Sequence, residues 1–244
     1  MEIKTKVIVL NSKDKGEADK LVTFFSSDLG VFQATVKGVK KTGAKLSACT
    51  FSFAFLDVVL VEKNGFYTIT ACDLIEPFFE LTQDLDNFEY AGACLEIVLN
   101  LSHGNLENQK IFILLLQVLK NLCFNHGFKK IIFVKFMFEM LSLSGYALDL
   151  KKAHALINEL GYCYVNLENG QFLKNYTNNM VYAKFGEAGL QFLNNVCDCN
   201  VVNFEEISER YKDDKIVNVV FSWFKVLMEN IMGKKFSSFF IIDL

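Results

Sequence analysis

Proline occurs once in 244 residues, at Pro77, and arginine once, at Arg210. One proline in a chain of this length argues against disordered linkers of the usual composition. One arginine leaves no set of guanidinium forks, so bidentate readout of base edges is nearly excluded. A contact with nucleic acid must then run from lysine to phosphate and be largely independent of sequence. Histidine is scarce as well. His103 and His126 stand beside glycines at expected helix ends, where a polar stop or a terminal cation is ordinary. His154 falls among apolar residues with no obvious carboxylate or cysteine partner. No nucleophile elbow, Walker loop, dinucleotide fingerprint or HExxH motif occurs. The acid pairs Asp84/Asp86 and Glu205/Glu206 read as helix starts and solvated faces. The chain is therefore expected not to be an enzyme.

No apolar run of 18 or more residues is free of charge. The nearest, IIFVKFMFEMLSLSGYAL, is interrupted by Lys135 and Glu139 and reads as a buried helix. The opening MEIKTKVIVL has neither the apolar block nor the cleavage site of a signal peptide, so a cytoplasmic location is expected. The seven cysteines (Cys49, Cys72, Cys94, Cys123, Cys163, Cys197, Cys199) form no paired framework and read as reduced thiols. Cys197 and Cys199 make a CxC, but no second pair completes a four-ligand metal site.

What the chain does have is unevenly spread. Its net charge is −3, yet no acid occurs between Asp28 and Asp57. That window contains Lys37, Lys40, Lys41 and Lys45, with Gly38 and Gly43 between them. A basic, glycine-containing loop between two strand-like runs suits a mobile arm that touches a polyanion, and nucleic acid is the obvious one. The plainer reading of a lysine run is a solvated connection. The missing counter-charge and the position between two strands favour the functional one.

Residues 1–80 read as five short strands: IKTKVIVL, KLVTFFSS, VFQATVKGV, FSFAFLDVVLVEK and FYTITACDLIE. Asn64-Gly65 between the last two is a strong hairpin signal. Five strands with a longer central connection suit a small closed barrel of OB-fold type. Residues 81–244 read mainly as helices, with apolar faces broad enough for burial in a bundle, and with a short hairpin at about 162–173 around Asn169-Gly170. The fold expected is α+β: a five-stranded OB barrel over 1–80, then a mainly α-helical domain over 81–244, with the boundary near Pro77. Alternation puts Phe51, Phe53 and Phe55 on one interior face and leaves Tyr67, just after the hairpin turn, as the aromatic exposed for base stacking.

Several segments resemble the bacterial recombination mediator RecO family. They are Val7–Leu10, then Lys15-Gly16-Glu17-Ala18-Asp19-Lys20-Leu21-Val22-Thr23, Gly30, and Val36-Lys37-Gly38-Val39-Lys40-Lys41. Thr50–Leu60 matches loosely, Leu74-Ile75-Glu76-Pro77-Phe78 matches well, and SGYALDL at 144–150 echoes a later motif. The resemblance is strong over residues 3–80 and weaker through the helices to Leu150. It implies an OB fold followed by a helical domain. It also implies a protein of DNA repair and recombination that binds single- and double-stranded DNA, anneals complementary strands and, with RecR, loads RecA onto single strands coated by single-strand-binding protein (SSB). The helical domain would recognise the acidic C-terminal tail of SSB. Such a protein would be cytoplasmic, not in the membrane, and nucleoid-associated during repair.

Many members of that family carry zinc on two CxxC pairs. Their positions fall here near Ala153, Leu156, Lys174 and Thr177, none a thiolate, so zinc is expected to be lost and no cofactor is expected. Cys163, Cys197, Cys199 and His154 are the residues from which a substitute would have to be built. The DNA-binding candidates are Lys37, Lys40, Lys41 and Lys45, then Lys13, Lys15 and Lys20, with Tyr67 for stacking. Four arm lysines on duplex phosphates imply a log–log salt slope of about −3.6. An SSB tail needs an apolar groove edged by lysine, and Lys129, Lys130 and Lys135 are the candidates for that edge. The competing reading is an interaction scaffold whose barrel does not bind DNA.

Overall fold

The computed structural model describes residues 2–102, 108–124, 128–198, 204–211 and 214–238, with the side chains of Phe204 and Glu205 left aside. His103, His126 and Cys199 therefore lie outside the described residues. Packing divides the chain into two compact units, Met1–Cys123 and Phe124–Leu244.

The first unit is built on a closed barrel. Its strands are β1 (Glu2–Lys15), β2 (Asp19–Ser26), β3 (Gly30–Val36), β4 (Phe55–Lys63) and β5 (Phe66–Glu76), hydrogen-bonded in the order β1-β2-β3-β5-β4 and closed by β1 on β4. Period-2 alternation sends Val7, Val9, Val22, Phe24, Ala34, Leu56, Val58, Leu60 and Ile69 into one interior core. β1 is 14 residues long and serves two neighbours. Its first half pairs with β4 and its second with β2, and a register shift between Val9 and Asn11 bends it from one to the other. Asn64 and Gly65 both have positive φ (51° and 79°), as a two-residue type I′ hairpin turn requires. β3 and β5 run parallel, with Val36 opposite Ile69. These are the five strands and the barrel that the sequence implies.

One stretch differs. β4 begins at Phe55, not at Phe51, because a 3-10 helix (Ser47–Thr50) closes the long connection first. Phe51 is exposed and meets the Phe79 ring at 6.0 Å. Phe53 is buried with φ of 71° and meets Phe88 edge-on at 5.6 Å. The three phenylalanines thus share no strand face. The left-handed backbone at Phe53 costs about 1–3 kcal/mol. Two hydrogen bonds clamp the site, from Phe53 N to Val9 O (3.1 Å) and from Val9 N to Ala54 O (3.0 Å).

Three helices complete this unit: α1 (Glu80–Gln83), α2 (Leu85–Leu101) and α3 (Asn108–Phe124). Asp84 caps α2 by accepting from Asn87 N at 2.8 Å. Phe25 and Phe55 both meet Phe112 of α3, at 5.9 Å each, so apolar residues on the outside of the barrel are covered too. By packing, these helices belong with the barrel.

The second unit holds α4 (Lys129–Leu143), α5 (Leu150–Leu160), β6 (Tyr162–Asn166), β7 (Phe172–Leu173), β8 (Tyr182–Gly186), α6 (Glu187–Asp198), α7 (Phe204–Tyr211) and α8 (Lys215–Met232). Its core includes Phe133, Phe136, Phe192, Trp223, Phe224 and Leu227. The expected hairpin is real, but it is part of a three-stranded sheet of order β7-β6-β8. α5 and β8 are additions to the sequence reading. No described helix is long and apolar enough to cross a membrane.

Candidate nucleic-acid interface

The basic arm is pinned against the β1–β2 turn. Gly38, at φ of 65°, lets the chain leave β3 sharply, and its N–H donates to Asp19 Oδ1 at 2.7 Å. Lys40 N donates to Ala18 O at 3.1 Å. The Lys40 ammonium donates to Gly16 O at 3.1 Å and pairs with Asp14 at 2.8 Å. Val39 is buried in the barrel core. The arm is thus a clasp folded over the turn, anchored by one apolar plug and several polar ties.

This geometry collects lysines from two distant stretches. Paired strand residues share a face of the sheet. Lys13 pairs with Leu21, and Lys15 with Asp19, on the outer face. Lys15 reaches across to Thr35 Oγ1 of β3 at 2.8 Å. Lys20 pairs with Asp14 and with Val36, on the alternate set, where Lys40 arrives. Residues 13–20 and 37–45 together hold seven lysines against three acids, Asp14, Glu17 and Asp19, in a chain of net charge −3. Lys13, Lys15, Lys37, Lys41 and Lys45 are exposed, and Lys20 is half-buried. Among the described residues no ion pair engages Lys37, Lys41 or Lys45.

Lys40 differs from the other arm lysines. It sits on Asp14, and its hydrogen bond, with the charges of Lys40 and Lys20 adding, holds the Asp14 carboxyl below the usual carboxylate range. Lys40 therefore reaches a phosphate only by leaving that partner. Three arm lysines remain uncommitted, which lowers the implied duplex salt slope from about −3.6 to about −2.7.

Tyr67 does not stand free. It is half-buried against the barrel core, and its ring meets Phe32 edge-on at 5.5 Å. The exposed aromatic is its neighbour Phe66, 76% exposed and paired with Lys63 across the Asn64-Gly65 turn. Phe66 stands three positions before Ile69, which faces Val36 at the base of the arm. Phe66 thus lies about 10 Å along the sheet from the level of Val36.

In the second unit, Lys130 donates to Asn218 Oδ1 at 2.7 Å and lies over the Phe221 ring at 5.7 Å. Asn218 also lines an apolar groove of about 460 Å³, walled by Leu167, Ala183, Val219, Trp223 and Val226. Lys130 thus bonds one residue of the groove wall. Lys135 does different work. It donates to the carbonyls of Val196 (3.1 Å) and Cys197 (3.4 Å) at the end of α6 and pairs with Glu139 at 3.2 Å. Lys129 is half-buried at the first position of α4.

The four positions of the implied zinc site do not fit the metal. Ala153 is buried in α5, and Lys174 forms an ion pair with Glu159. Neither they nor Leu156 and Thr177 supply a thiolate. Of the substitute candidates, Cys199 lies outside the described residues, and His154, Cys163 and Cys197 form no ligand group. His154 is exposed beside Asn158, Cys163 is buried, and no described group of three or more His, Cys, Asp or Glu is arranged to hold a metal. Tyrosines occupy this region instead. Tyr176 stacks on Tyr182 at 3.9 Å, and Tyr164 meets both rings edge-on, at 4.9 and 5.4 Å.

The comparisons with known proteins agree with the barrel-plus-helices architecture. Residues 1–78 match the family model described as Recombination protein O N terminal, and residues 82–182 match Recombination protein O C terminal. Among similar proteins named DNA repair protein RecO, that of Acetivibrio thermocellus is 31% identical over 145 residues, covering 59% of this chain and 58% of the relative. That of Clostridium novyi is 32% identical over 152 residues, 61% of this chain and 58% of the relative. That of Caldicellulosiruptor bescii is 34% identical over 117 residues, 48% of each. The chain thus spans about half the length of the curated relatives it matches. With both of the family's domains matched in order along one chain, it belongs to the recombination protein O family.

Proposed function

We propose that this chain is a non-enzymatic mediator of DNA repair and recombination that binds DNA phosphates through the lysine clasp of its barrel. The observation that carries the reading is the convergence of two lysine-bearing segments, 13–20 and 37–45, on one another through the Gly38–Asp19 and Lys40–Asp14 ties. Lys37, Lys41 and Lys45 are the phosphate contacts, with Lys13, Lys15 and Lys20 lining the adjacent surface and Lys40 held by Asp14. Phe66 offers a stacking face for an unpaired base. Annealing then requires only charge neutralisation and displacement of SSB. The groove edged by Lys130 takes the acidic, apolar-ended tail of SSB. With RecR, the chain loads RecA onto the exposed strand, working in the cytoplasm at the nucleoid and without a metal. The family match, the clasp and the groove support this reading.

The test is fluorescence anisotropy of labelled single- and double-stranded oligonucleotides across a range of salt. The expected log–log slopes are about −2.7 on duplex and about −2.1 on single strands for three lysine contacts. The triple reversal Lys37→Glu, Lys41→Glu, Lys45→Glu should abolish binding at every salt concentration. Absence of binding by the unaltered chain at low salt would overturn the DNA reading in favour of the scaffold. An acidic peptide with an apolar end is then the ligand to titrate.

A further inference from the structure

One face of the small sheet is aromatic and open. In β6, Cys163 and Val165 are buried, and they pair with Phe185 and Ala183 of β8. That face packs inward, where Phe185 meets Phe172 at 5.4 Å and Trp223 at 5.8 Å. Alternation turns Tyr162 and Tyr164 the other way, in register with Gly186 and Lys184. Tyr182, opposite Asn166, follows on the same side. Tyr176, in the connection between β7 and β8, completes the group. Its ring stacks on Tyr182 at 22°, with Tyr164 edge-on to both and Tyr162 edge-on to Tyr164 at 5.6 Å. Four of the chain's eight tyrosines thus form one ring surface. Tyr176 and Tyr182 are 42% and 37% exposed, so the surface is open to a ligand.

Charge narrows the kind of ligand. Lys184 is exposed, its ammonium lies 4.2 Å from the centre of the Tyr162 ring, and among the described residues no ion pair engages it. Lys174 is instead neutralised by Glu159. The chain itself therefore supplies the cation over these rings. A lysine-rich tail or a methylated ammonium would meet like charge there. A flat ligand with negative charge meets ring surface and counter-charge together. Nucleotides of a single strand have both properties, whereas a duplex keeps its base faces covered. A cluster that only stapled the sheet would need no such cation.

We propose that the tyrosine face of the second unit is a weak stacking site for unpaired nucleotides, separate from the lysine clasp. A base continues the Tyr176–Tyr182 stack, and Lys184 takes a neighbouring phosphate. Bases held by their faces keep their pairing edges free for a complementary strand. With one cation and one or two stacked bases, the site fills at about 1 mM oligonucleotide and has a log–log salt slope of only about −0.7. Anisotropy with a dilute probe therefore reads the clasp alone. That the ligand is nucleic acid rests on the DNA-handling reading above, but the site uses none of the clasp's residues.

The experiment is fluorine NMR of the full chain carrying 3-fluorotyrosine, titrated with a thymidine tetranucleotide and assigned by single Tyr→Phe changes. The resonances of Tyr162, Tyr164, Tyr176 and Tyr182 should move together, while those of Tyr90, Tyr146 and Tyr211 stay still. Tyr67 reports separately on the barrel. The same four should move in the Lys37→Glu, Lys41→Glu, Lys45→Glu chain, so failure of the clasp and failure of this site are told apart. Tyr176→Ser should weaken the effect about tenfold and Tyr176→Phe should retain it. Four outcomes would overturn the proposal. They are stillness of these resonances well above millimolar, loss of their movement in the clasp reversal, equal movement with an abasic tetranucleotide or a neutral oligosaccharide, and movement on dilution without any oligonucleotide, which would mean that the face covers a second copy of the chain.

Discussion

Asp14 limits how much of the lysine arm a polyanion can use. Its carboxylate holds Lys40, so replacing it frees one cation without touching any lysine. Asp14→Asn should tighten DNA binding and steepen the log–log salt slope by about 0.9, read by anisotropy. An unchanged slope would mean that Lys40 faces away from the DNA. The pH dependence has a definite sign. The folded carboxyl is depressed below its unfolded value, so the clasp's contribution is fully present above the unfolded pKa and is lost as pH falls through the folded one. Carboxyl-detected NMR should therefore find the Asp14 midpoint below that of an ordinary aspartate. Phe66 and Tyr67 give a second contrast. Phe66→Ala should weaken single-strand binding by about 1–3 kcal/mol and leave thermal stability unchanged, whereas Tyr67→Ala should lower stability because it unseats the Phe32 contact. Sequence alone points to Tyr67 as the exposed ring, whereas Phe66 is the more exposed, and a signal for this exists. Across a two-residue turn the flanking residues pair, so Phe66 must share the face of charged Lys63.

At the scale of elements, the small sheet of the second unit depends on a tight turn. Gly170 has φ of 75°, and a Cβ there would stand 2.7 Å from Leu148 Cδ2. Gly170→Ala should cost about 1–3 kcal/mol and lower the thermal midpoint. Gly65→Ala has similar strain but open space around it, and should cost less. Chelators should leave the midpoint unmoved. The Lys174–Glu159 pair and the Tyr164, Tyr176 and Tyr182 cluster hold the region where the resemblance implies a zinc site. A midpoint that falls with EDTA would contradict this. The Asn169-Gly170 hairpin was legible because turn chemistry is local. α5 was legible too but passed over: Asp149 caps it, Gly161 ends it in the left-handed region, and Ala153, Ile157 and Leu160 mark its apolar side. β8 was not. YAKFG has little strand pattern of its own and acquires its identity from pairing with β6.

At the scale of the whole chain, legibility followed the range of the forces involved. The five strands were readable because alternation and glycine-bearing turns act over a few residues. The barrel's closure followed from their number and spacing. The lysine window was readable as charge, but its partner segment 13–20 was undervalued. Asp14, Glu17 and Asp19 offset its charge in sequence, whereas in space two of them bind the arm. The same reasoning separates two ligand classes between the two units. The clasp suits a polyanion held by exposed lysines in water, where screening is strong. On the proposed reading the groove takes a short acidic peptide whose apolar end is desolvated, where screening is weaker. Lys130→Glu should therefore remove binding of such a peptide and leave the DNA slope unchanged. The Lys37, Lys41 and Lys45 reversal should do the opposite. Raising salt should weaken DNA binding far more steeply than peptide binding, because only the first releases a condensed counterion atmosphere. Parallel titrations of both ligands on both variants measure all four responses. Loss of both ligands in either variant would mean that one surface serves both, and would refute the assignment of DNA to the barrel and peptide to the helices.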